Sequence, residues 1–296
     1  MKWKTKITQI LGINYPLVMG AFGGWGKAEF ASSFSNAGGL GIIAALNFPN
    51  PEDFKKDLQK MRNLTDKPFG INLSLPHRSL KENGEDIRTK KRYLDYVEIA
   101  INENCTIFTT SGYKASFIGT RVHEAGGLWF HKCVLVKHAI AAEKEGADGV
   151  TIVGLEGTGF KNPLTNSTLV NITMAKKLLK VPIIAAGGIG DSRGFLGALA
   201  LGADAVCLGT ALMATKECPV PERIKEKWLN LDVFDEQFHK KIYTFNVKNF
   251  MTPSTAIGHH NEIIPMKTLI EEMIKNAENI LQSWGFDNNE FNTLRL

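Results

Sequence analysis

The sequence predicts an α/β fold, a (β/α)8 TIM barrel with a C-terminal lid and helical extension, and three observations carry that prediction. Eight short apolar runs alternate with helix-period segments from about residue 15 to residue 215. The runs are continuously apolar, which suits strands buried on both faces of a parallel sheet. One unit also recurs: Gly146-Ala147-Asp148-Gly149-Val150-Thr151-Ile152-Val153-Gly154 has the pattern of Gly202-Ala203-Asp204-Ala205-Val206-Cys207-Leu208-Gly209. Each copy reads as a helix stopped at glycine, a short loop, a buried strand and a glycine at the strand's end. Periodicity by itself also admits an open doubly wound sheet.

In chain order the runs are Leu17-Val18-Met19, Gly41-Ile42-Ile43-Ala44, Phe69-Gly70-Ile71-Asn72-Leu73, Thr106-Ile107-Phe108, Leu128-Trp129-Phe130, Val150-Thr151-Ile152-Val153, Pro182-Ile183-Ile184-Ala185-Ala186 and Ala205-Val206-Cys207-Leu208. Amphipathic stretches such as 137–145 and 171–179 read as crossover helices between them. Residues 77–92 are charged and contain Asn83-Gly84, so they read as a long solvated loop at the barrel top. Residues 1–215 then make the barrel. Residues 216–296, with Pro219, Pro221 and Pro253 and an amphipathic helix near 266–281, make a lid and packing helix of the same domain. The composition from Asn288 onward reads as a frayed end.

Composition narrows the class. Hydrophobic residues at 44% and charged residues at 22% describe an ordinary globular enzyme and exclude a disordered or fibrous chain. A net charge of +5 over 296 residues is mild, and Lys90-Lys91-Arg92 is the longest basic run noted, so nucleic acid is not an expected partner. The four cysteines, Cys105, Cys133, Cys207 and Cys218, have no C-x-x-C spacing, and no histidine stands at zinc-ligand spacing. The expectation is a reduced, metal-free, cytoplasmic protein. The basic N-terminus lacks a signal peptide's apolar stretch, and no run approaches the ~20 apolar residues of a membrane span.

In a barrel of this kind the chemistry sits in the loops after the strands. After the seventh run comes Ala186-Gly187-Gly188-Ile189-Gly190, and after the eighth Gly209-Thr210-Ala211. Bare backbone N–H groups at such glycines can approach an anion closely, and barrels commonly place a phosphate at these two loops. The alternative is that the glycines only make tight turns.

These residues carry a resemblance. Tyr15-Pro16-Leu17-Val18-Met19-Gly20-Ala21-Phe22-Gly23-Gly24, Asn36-Ala37-Gly38-Gly39-Leu40-Gly41, Pro68-Phe69-Gly70-Ile71-Asn72-Leu73, Phe130-His131-Lys132 and Ala185-Ala186-Gly187-Gly188-Ile189 resemble the FMN-dependent nitronate monooxygenase family, once called 2-nitropropane dioxygenase. That family shares its fold with FMN-containing enoyl-ACP reductases and some quinone reductases. The resemblance covers about residues 8–260 and implies an FMN site at the barrel mouth. Met19, Gly20, Ala21 and Phe22 would pack against the flavin ring, although of the frequent family loop Gln-Gly-Pro-Met only the glycine is kept. Asn72 would hydrogen-bond the flavin edge. Lys132 would set a positive charge near the flavin and favour its anionic reduced form. Glu156 matches the family's acidic position. Gly187, Gly188, Gly209 and Thr210 would hold the phosphate. His131 reads as structural, and His259-His260 as a polar stretch of the C-terminal loop.

One departure matters. Where the family usually reads Glu-Ala-Gly-Gly-His, this chain reads Glu156-Gly157-Thr158-Gly159-Phe160. A phenyl ring cannot exchange a proton, so the family's general acid/base is replaced, and Lys132 and Thr158 remain as the catalytic candidates. The resemblance implies oxidation of alkyl nitronates with O2, which start as anions and need no proton removal. The alternatives are an NAD(P)H-dependent enoyl-thioester or quinone reductase, with NAD(P)H as the reductant, and a flavin-binding protein of low turnover. A phosphate-sugar isomerase would share the phosphate loops but not the 19–22 loop with Asn72. A small-molecule substrate is expected, with a homodimer as the assembly considered and no membrane partner.

Overall fold

The structure, a computed structural model, describes residues 2–76, 89–112, 114–158, 164–243 and 252–286. Eight parallel strands run β1 (Leu17–Met19), β2 (Gly41–Ala44), β3 (Phe69–Ser74), β4 (Ile107–Ser111), β5 (Leu128–Cys133), β6 (Gly149–Val153), β7 (Ile183–Ala186) and β8 (Ala205–Leu208). They pair in the order β1-β8-β7-β6-β5-β4-β3-β2. Between β1 and β2 the residue before β2 closes the seam: Leu40 N donates to Leu17 O and Met19 N to Leu40 O, each at 2.9 Å. The predicted α/β barrel is therefore the observed one.

The recurring Gly-Ala-Asp unit has a single structural job in both copies. Gly146 and Gly202 take φ of 97° and 106°, the left-handed region that ends a helix and that glycine enters without a Cβ penalty. The aspartate that follows reaches back to the start of the preceding strand. Asp148 Oδ2 accepts from Trp129 N at 2.7 Å, and Asp204 Oδ2 accepts from Ile183 N at 3.0 Å. The same pairs are tied in reverse, Asp148 N to Trp129 O and Asp204 N to Ile183 O. Each carboxylate thus satisfies a backbone donor left open where a buried strand begins.

Strand register sorts the side chains. Asn72 pairs with Thr109, Ser74 with Ser111, Ser111 with Lys132, Lys132 with Thr151, Val153 with Ala186, and Ala186 with Cys207, so all these share the inner face. Thr110, Trp129, His131 and Met19 fall on the outer face, under the helices. The bore is apolar at its base, with Ile42, Ile107, Phe130 and Ile184, and polar toward the strands' C-terminal ends.

Seven helices follow β1 to β7 in turn: Ala28–Asn36, Pro51–Leu64, Lys90–Asn102, Ser116–Glu124, Val136–Lys144, Thr168–Leu178 and Ser192–Ala200. Four of them start on a side-chain cap: Asn50 ahead of Pro51, Thr89, Ser167 and Asp191. The Thr89 cap corrects the reading of 77–92 as loop throughout, since a helix already begins at Lys90; residues 77–88 lie outside the described residues. After β8 the helix is only Thr210–Met213. The chain then runs through Glu222–Leu229, Glu236–Tyr243 and the turn Thr255–His259 to the long helix Met266–Ser283. That helix packs between Ser192–Ala200 and Ala28–Asn36, the place an eighth crossover helix takes, and Glu217 Oε2 accepts from its first N–H at 2.8 Å. Met266, Leu269, Ile270, Met273, Ile274 and Ala277 are its buried face, at helical spacing. Met273→Ala is therefore expected to cost ~2–5 kcal/mol, as a core truncation does, measured by urea unfolding. A loss below about 1 kcal/mol would make this helix an appendage. The end from Asn288, read as frayed, lies outside the described residues.

Candidate functional site

The polar end of the bore is built from strands β3 to β6. Asn72, buried, donates from Nδ2 to Thr109 Oγ1 at 2.9 Å, and its Oδ1 accepts from Ser74 Oγ at 3.0 Å. Ser74 and Ser111 hydroxyls lie 2.8 Å apart. An amide has two donors and two acceptor sites, so Asn72 keeps capacity for a ligand after these two strong bonds. Lys132 enters the same space from β5. Among the described residues no carboxylate or carbonyl engages its ammonium. Cys207, on β8, is half-buried, while the other three cysteines are buried. Burial pushes its thiol pKa up, while Lys132, on the same inner face, pulls in the opposite direction.

The neighbouring histidine behaves differently because the strand alternates. His131 points outward, its Nδ1 2.7 Å from Thr110 Oγ1, and Trp129 Nε1 donates to the same hydroxyl at 2.7 Å. Burial, with His138 nearby, lowers its pKa to about 4. The unfolded chain therefore binds this proton below about pH 6.5 while the native state refuses it. Native stability must fall as pH drops from about 6.5 toward 4, by up to ~1.4 kcal/mol per pH unit from this group. His131→Gln should remove one proton from the slope of unfolding free energy against pH over that window, read from urea melts. An unchanged slope would mean His131 titrates normally.

The loops after β6 and β7 are latched together. Glu156 Oε2 accepts from both Thr168 N and Thr168 Oγ1 at 2.9 Å, and Thr168 Oγ1 lies 3.1 Å from Ala186 O and 2.9 Å from Gly187 O. One hydroxyl proton serves three acceptors, so the threonine sits at a fixed junction of helix and two loops. Gly187 and Gly188 have φ of 103° and 75°, and a Cβ on them would come 2.8 Å from Gly157 N and 3.0 Å from Glu156 Cβ. Loop packing alone therefore demands glycine there. Gly209 differs: a Cβ built on it meets no atom within 4 Å.

Several residues expected at the cofactor stand otherwise. The Met19 side chain is on the outer face and almost wholly buried, because strand alternation turns Val18 inward instead. Only the Met19 backbone is left to face the mouth. Phe22 stacks on Trp25, with ring centroids 6.2 Å apart, and tilts against Phe30. Trp25 in turn meets Trp228 of helix Glu222–Leu229 at 6.0 Å, so this loop is held by the C-terminal segment. Gly20 N donates to Leu208 O at 2.8 Å, and Ala21 is exposed. Thr210 Oγ1 accepts from Ser254 N and pairs with Ser254 Oγ, both at 3.0 Å, which leaves it one further bond at most. Thr158 is half-buried, and Phe160 lies outside the described residues. His259 packs over Gly190 and stands 4.0 Å from Asp191, so it closes down on the loop after β7.

The sequence reading missed Thr168, Thr109, Ser111 and Cys207 as parts of this site. Thr109 and Ser111 carried a signal in their odd spacing after Ile107. Thr168 carried none, since its role depends on two loops brought together by the fold. Among the described residues no group of histidine, cysteine, aspartate or glutamate could hold a metal ion, and no helix is long and apolar enough to cross a membrane.

A parallel barrel whose mouth gathers an unengaged ammonium, an amide with spare bonds and an open glycine turn is of the class that holds an anionic cofactor. The chain belongs to the nitronate monooxygenase family, whose pattern matches residues 4–243, and with it to the superfamily of FMN-dependent oxidoreductases. It is 30% identical over 230 residues to a (3aS,4S,5R,7aS)-5-hydroxy-7a-methyl-1-oxo-octahydro-1H-indene-4-carboxyl-CoA dehydrogenase of Mycobacterium tuberculosis, across 77% of this chain and 61% of that protein. The chain thus spans about three fifths of that relative. It is 27% identical over 258 residues to a Staphylococcus aureus protein named "Probable nitronate monooxygenase", across 77% of this chain and 72% of that one. FabK from Thermotoga maritima superposes with a TM-score of 0.80 at 26% identity, covering 95% of this chain and 98% of that chain. A nitroalkane oxidase from Streptomyces ansochromogenes shares the fold, with a TM-score of 0.75 at 20% identity and 94% and 99% coverage.

Proposed function

We propose that this FMN-dependent oxidoreductase is an NAD(P)H-dependent reductase of an α,β-unsaturated acyl thioester. The observation that carries the reading is the chemistry of the bore. Its inner face, among the described residues, offers an ammonium, an amide, hydroxyls and a thiol, but no carboxylate or imidazole. Such a lining suits transfer of a hydride and holding of an oxyanion better than removal of a carbon-bound proton. The relative at 30% identity, named as a carboxyl-CoA dehydrogenase, supports a thioester as substrate class.

The residues present fit FMN. A Cβ on Gly209 would enter open space, Lys132 has no counter-charge among the described residues, and Asn72 has bonds to spare. Gly209 would admit the phosphate, with the latch between Glu156 and Thr168 holding the facing Gly187-Gly188 loop in shape. Lys132 would oppose negative charge at the ring, and Asn72 would fix the ring edge. When bound, FMN supplies hydride exchange between a nicotinamide and the substrate. The protein's own part is to orient both partners, supply positive charge and exclude water from the bore.

A second reading, oxidation of a nitronate, is favoured by the family pattern and the Staphylococcus relative. It needs no base either, because the substrate is already an anion. Two turnover assays separate the readings, one anaerobic and one in air: NADH or NADPH consumed anaerobically in step with an enoyl-CoA supports the reductase. Consumption of O2 with a nitronate, and no enoyl-CoA turnover, would replace it.

A further inference from the structure

We propose that the paired hydroxyls of Ser74 and Ser111 hold the carboxamide NH2 of the nicotinamide that reduces the flavin, an assignment that rests on the reductase reading above. The direction in which the protons of this cluster point carries it. A backbone carbonyl can only accept, and Thr109 O lies 3.4 Å from Asn72 Nδ2, so the nitrogen end of the amide is fixed on the Thr109 side. Thr109 Oγ1 accepts from the same nitrogen at 2.9 Å and donates its own proton to Ile71 O at 3.5 Å. Asn72 Oδ1 therefore faces Ser74, and Ser74 Oγ must donate to it at 3.0 Å. Ser74 has then spent its one proton. In the 2.8 Å contact between the two serines the donor is Ser111.

Every proton of the chain thus runs inward. Among the described residues the two hydroxyls are left with lone pairs only, one on Ser74 and two on Ser111. Ser111 is buried and Ser74 exposed, so the pair reaches from the strand ends into the mouth. A ligand group that binds there must be a donor. An acyl thioester offers an acceptor oxygen beside its reacting carbons, which suits the Lys132 ammonium instead. A nicotinamide carries two N–H donors on the carboxamide next to the carbon that delivers hydride. Height agrees with this. Ser74 lies two residues beyond Asn72 on the same face of β3, ~6.6 Å along the strand and ~5 Å along the axis of a barrel tilted by about 36°. Hydride transfer needs reacting atoms ~3–3.5 Å apart. With the flavin edge at Asn72, a nicotinamide lying on the ring stands between Asn72 and Ser74 in height, within reach of the open lone pairs.

Calorimetric titration of the FMN-loaded full chain with oxidised nucleotides tests this without turnover. The probes are NAD+ and NADP+ with their 3-acetylpyridine and thionicotinamide counterparts. The acetyl group keeps the carbonyl acceptor and loses the N–H donors, whereas the thioamide keeps the donors and weakens the acceptor. Wild type is expected to bind the acetyl form ~3–10-fold more weakly than the carboxamide form, the worth of one neutral hydrogen bond, and the thioamide form equally well. Ser74→Ala releases the Ser111 proton to serve an acetyl oxygen, so the preference should fall below ~2-fold. Ser74→Thr keeps the hydroxyl and should restore it. Equal binding of the acetyl and carboxamide forms by wild type would overturn the assignment. So would a preference that survives Ser74→Ala combined with Ser111→Ala, or no binding of any probe. Failure of the reductase reading shows separately, as a flavin that neither NADH nor NADPH bleaches. A flavin that they do bleach, in a protein without the carboxamide preference, refutes the serine pair alone.

Discussion

Gly209→Leu is expected to purify folded and nearly free of FMN. The position follows β8 directly, its φ is negative, and a Cβ there meets no atom of the described residues within 4 Å beyond its chain neighbours. Among the described residues no atom within 4 Å opposes a Cβ there, while the added isobutyl group fills the space assigned to the phosphate. Losing close backbone approach and adding a clash should lower FMN affinity by at least ~100-fold, since two charge-assisted hydrogen bonds are at stake at about 1.5–3 kcal/mol each. Flavin stoichiometry and the thermal melt of the apoprotein are the two readings. Full FMN content in Gly209→Leu would move the phosphate elsewhere. Gly188→Leu is a poorer probe, because its backbone is left-handed and its Cβ would press on Glu156 whatever is bound.

Lys132→Met should make the bound flavin harder to reduce. A unit charge a few ångströms from the ring, at an effective dielectric near 20, is worth about 2–4 kcal/mol toward the reduced anion. For a two-electron couple that is a fall of roughly 40–90 mV in midpoint potential. Methionine keeps the length and loses the charge, so packing is largely preserved. Lys132→Arg keeps the charge and should restore most of the potential. Potentiometric titration decides; equal potentials in Lys132→Met and wild type would leave Lys132 as a rim charge with no part in the redox step.

The barrel was legible in the sequence because parallel strands buried on both faces must be apolar, and β1 and β2 coincide with the runs that announced them. The reading fell short where function begins. The fourth run ended at Phe108, yet β4 continues to Ser111, because a barrel strand turns polar as it approaches the mouth. Thr109 and Ser111 were lost for that reason. Asn72 and Lys132, which the resemblance assigned to the flavin, lie on the inner face, since both sit inside strands whose register the core determines. The Met19 and Phe22 side chains lie elsewhere. Met19 is outward by strict alternation, and Phe22 is drawn into an aromatic cluster with Trp25 and Phe30 that no local pattern announces. The long final helix was visible from its buried spacing, but its place in the ring depends on how short the helix after β8 is.

The most direct test of the central claim is anaerobic reduction of the FMN-loaded protein by NADH, NADPH and a preformed alkyl nitronate, followed by flavin absorbance. Bleaching by one of the two nicotinamides is expected at least ~10-fold faster than by the nitronate, a margin of about 1.4 kcal/mol in the barrier, with colour restored by an enoyl-CoA. Bleaching by the nitronate alone, with neither nicotinamide reacting, would contradict it.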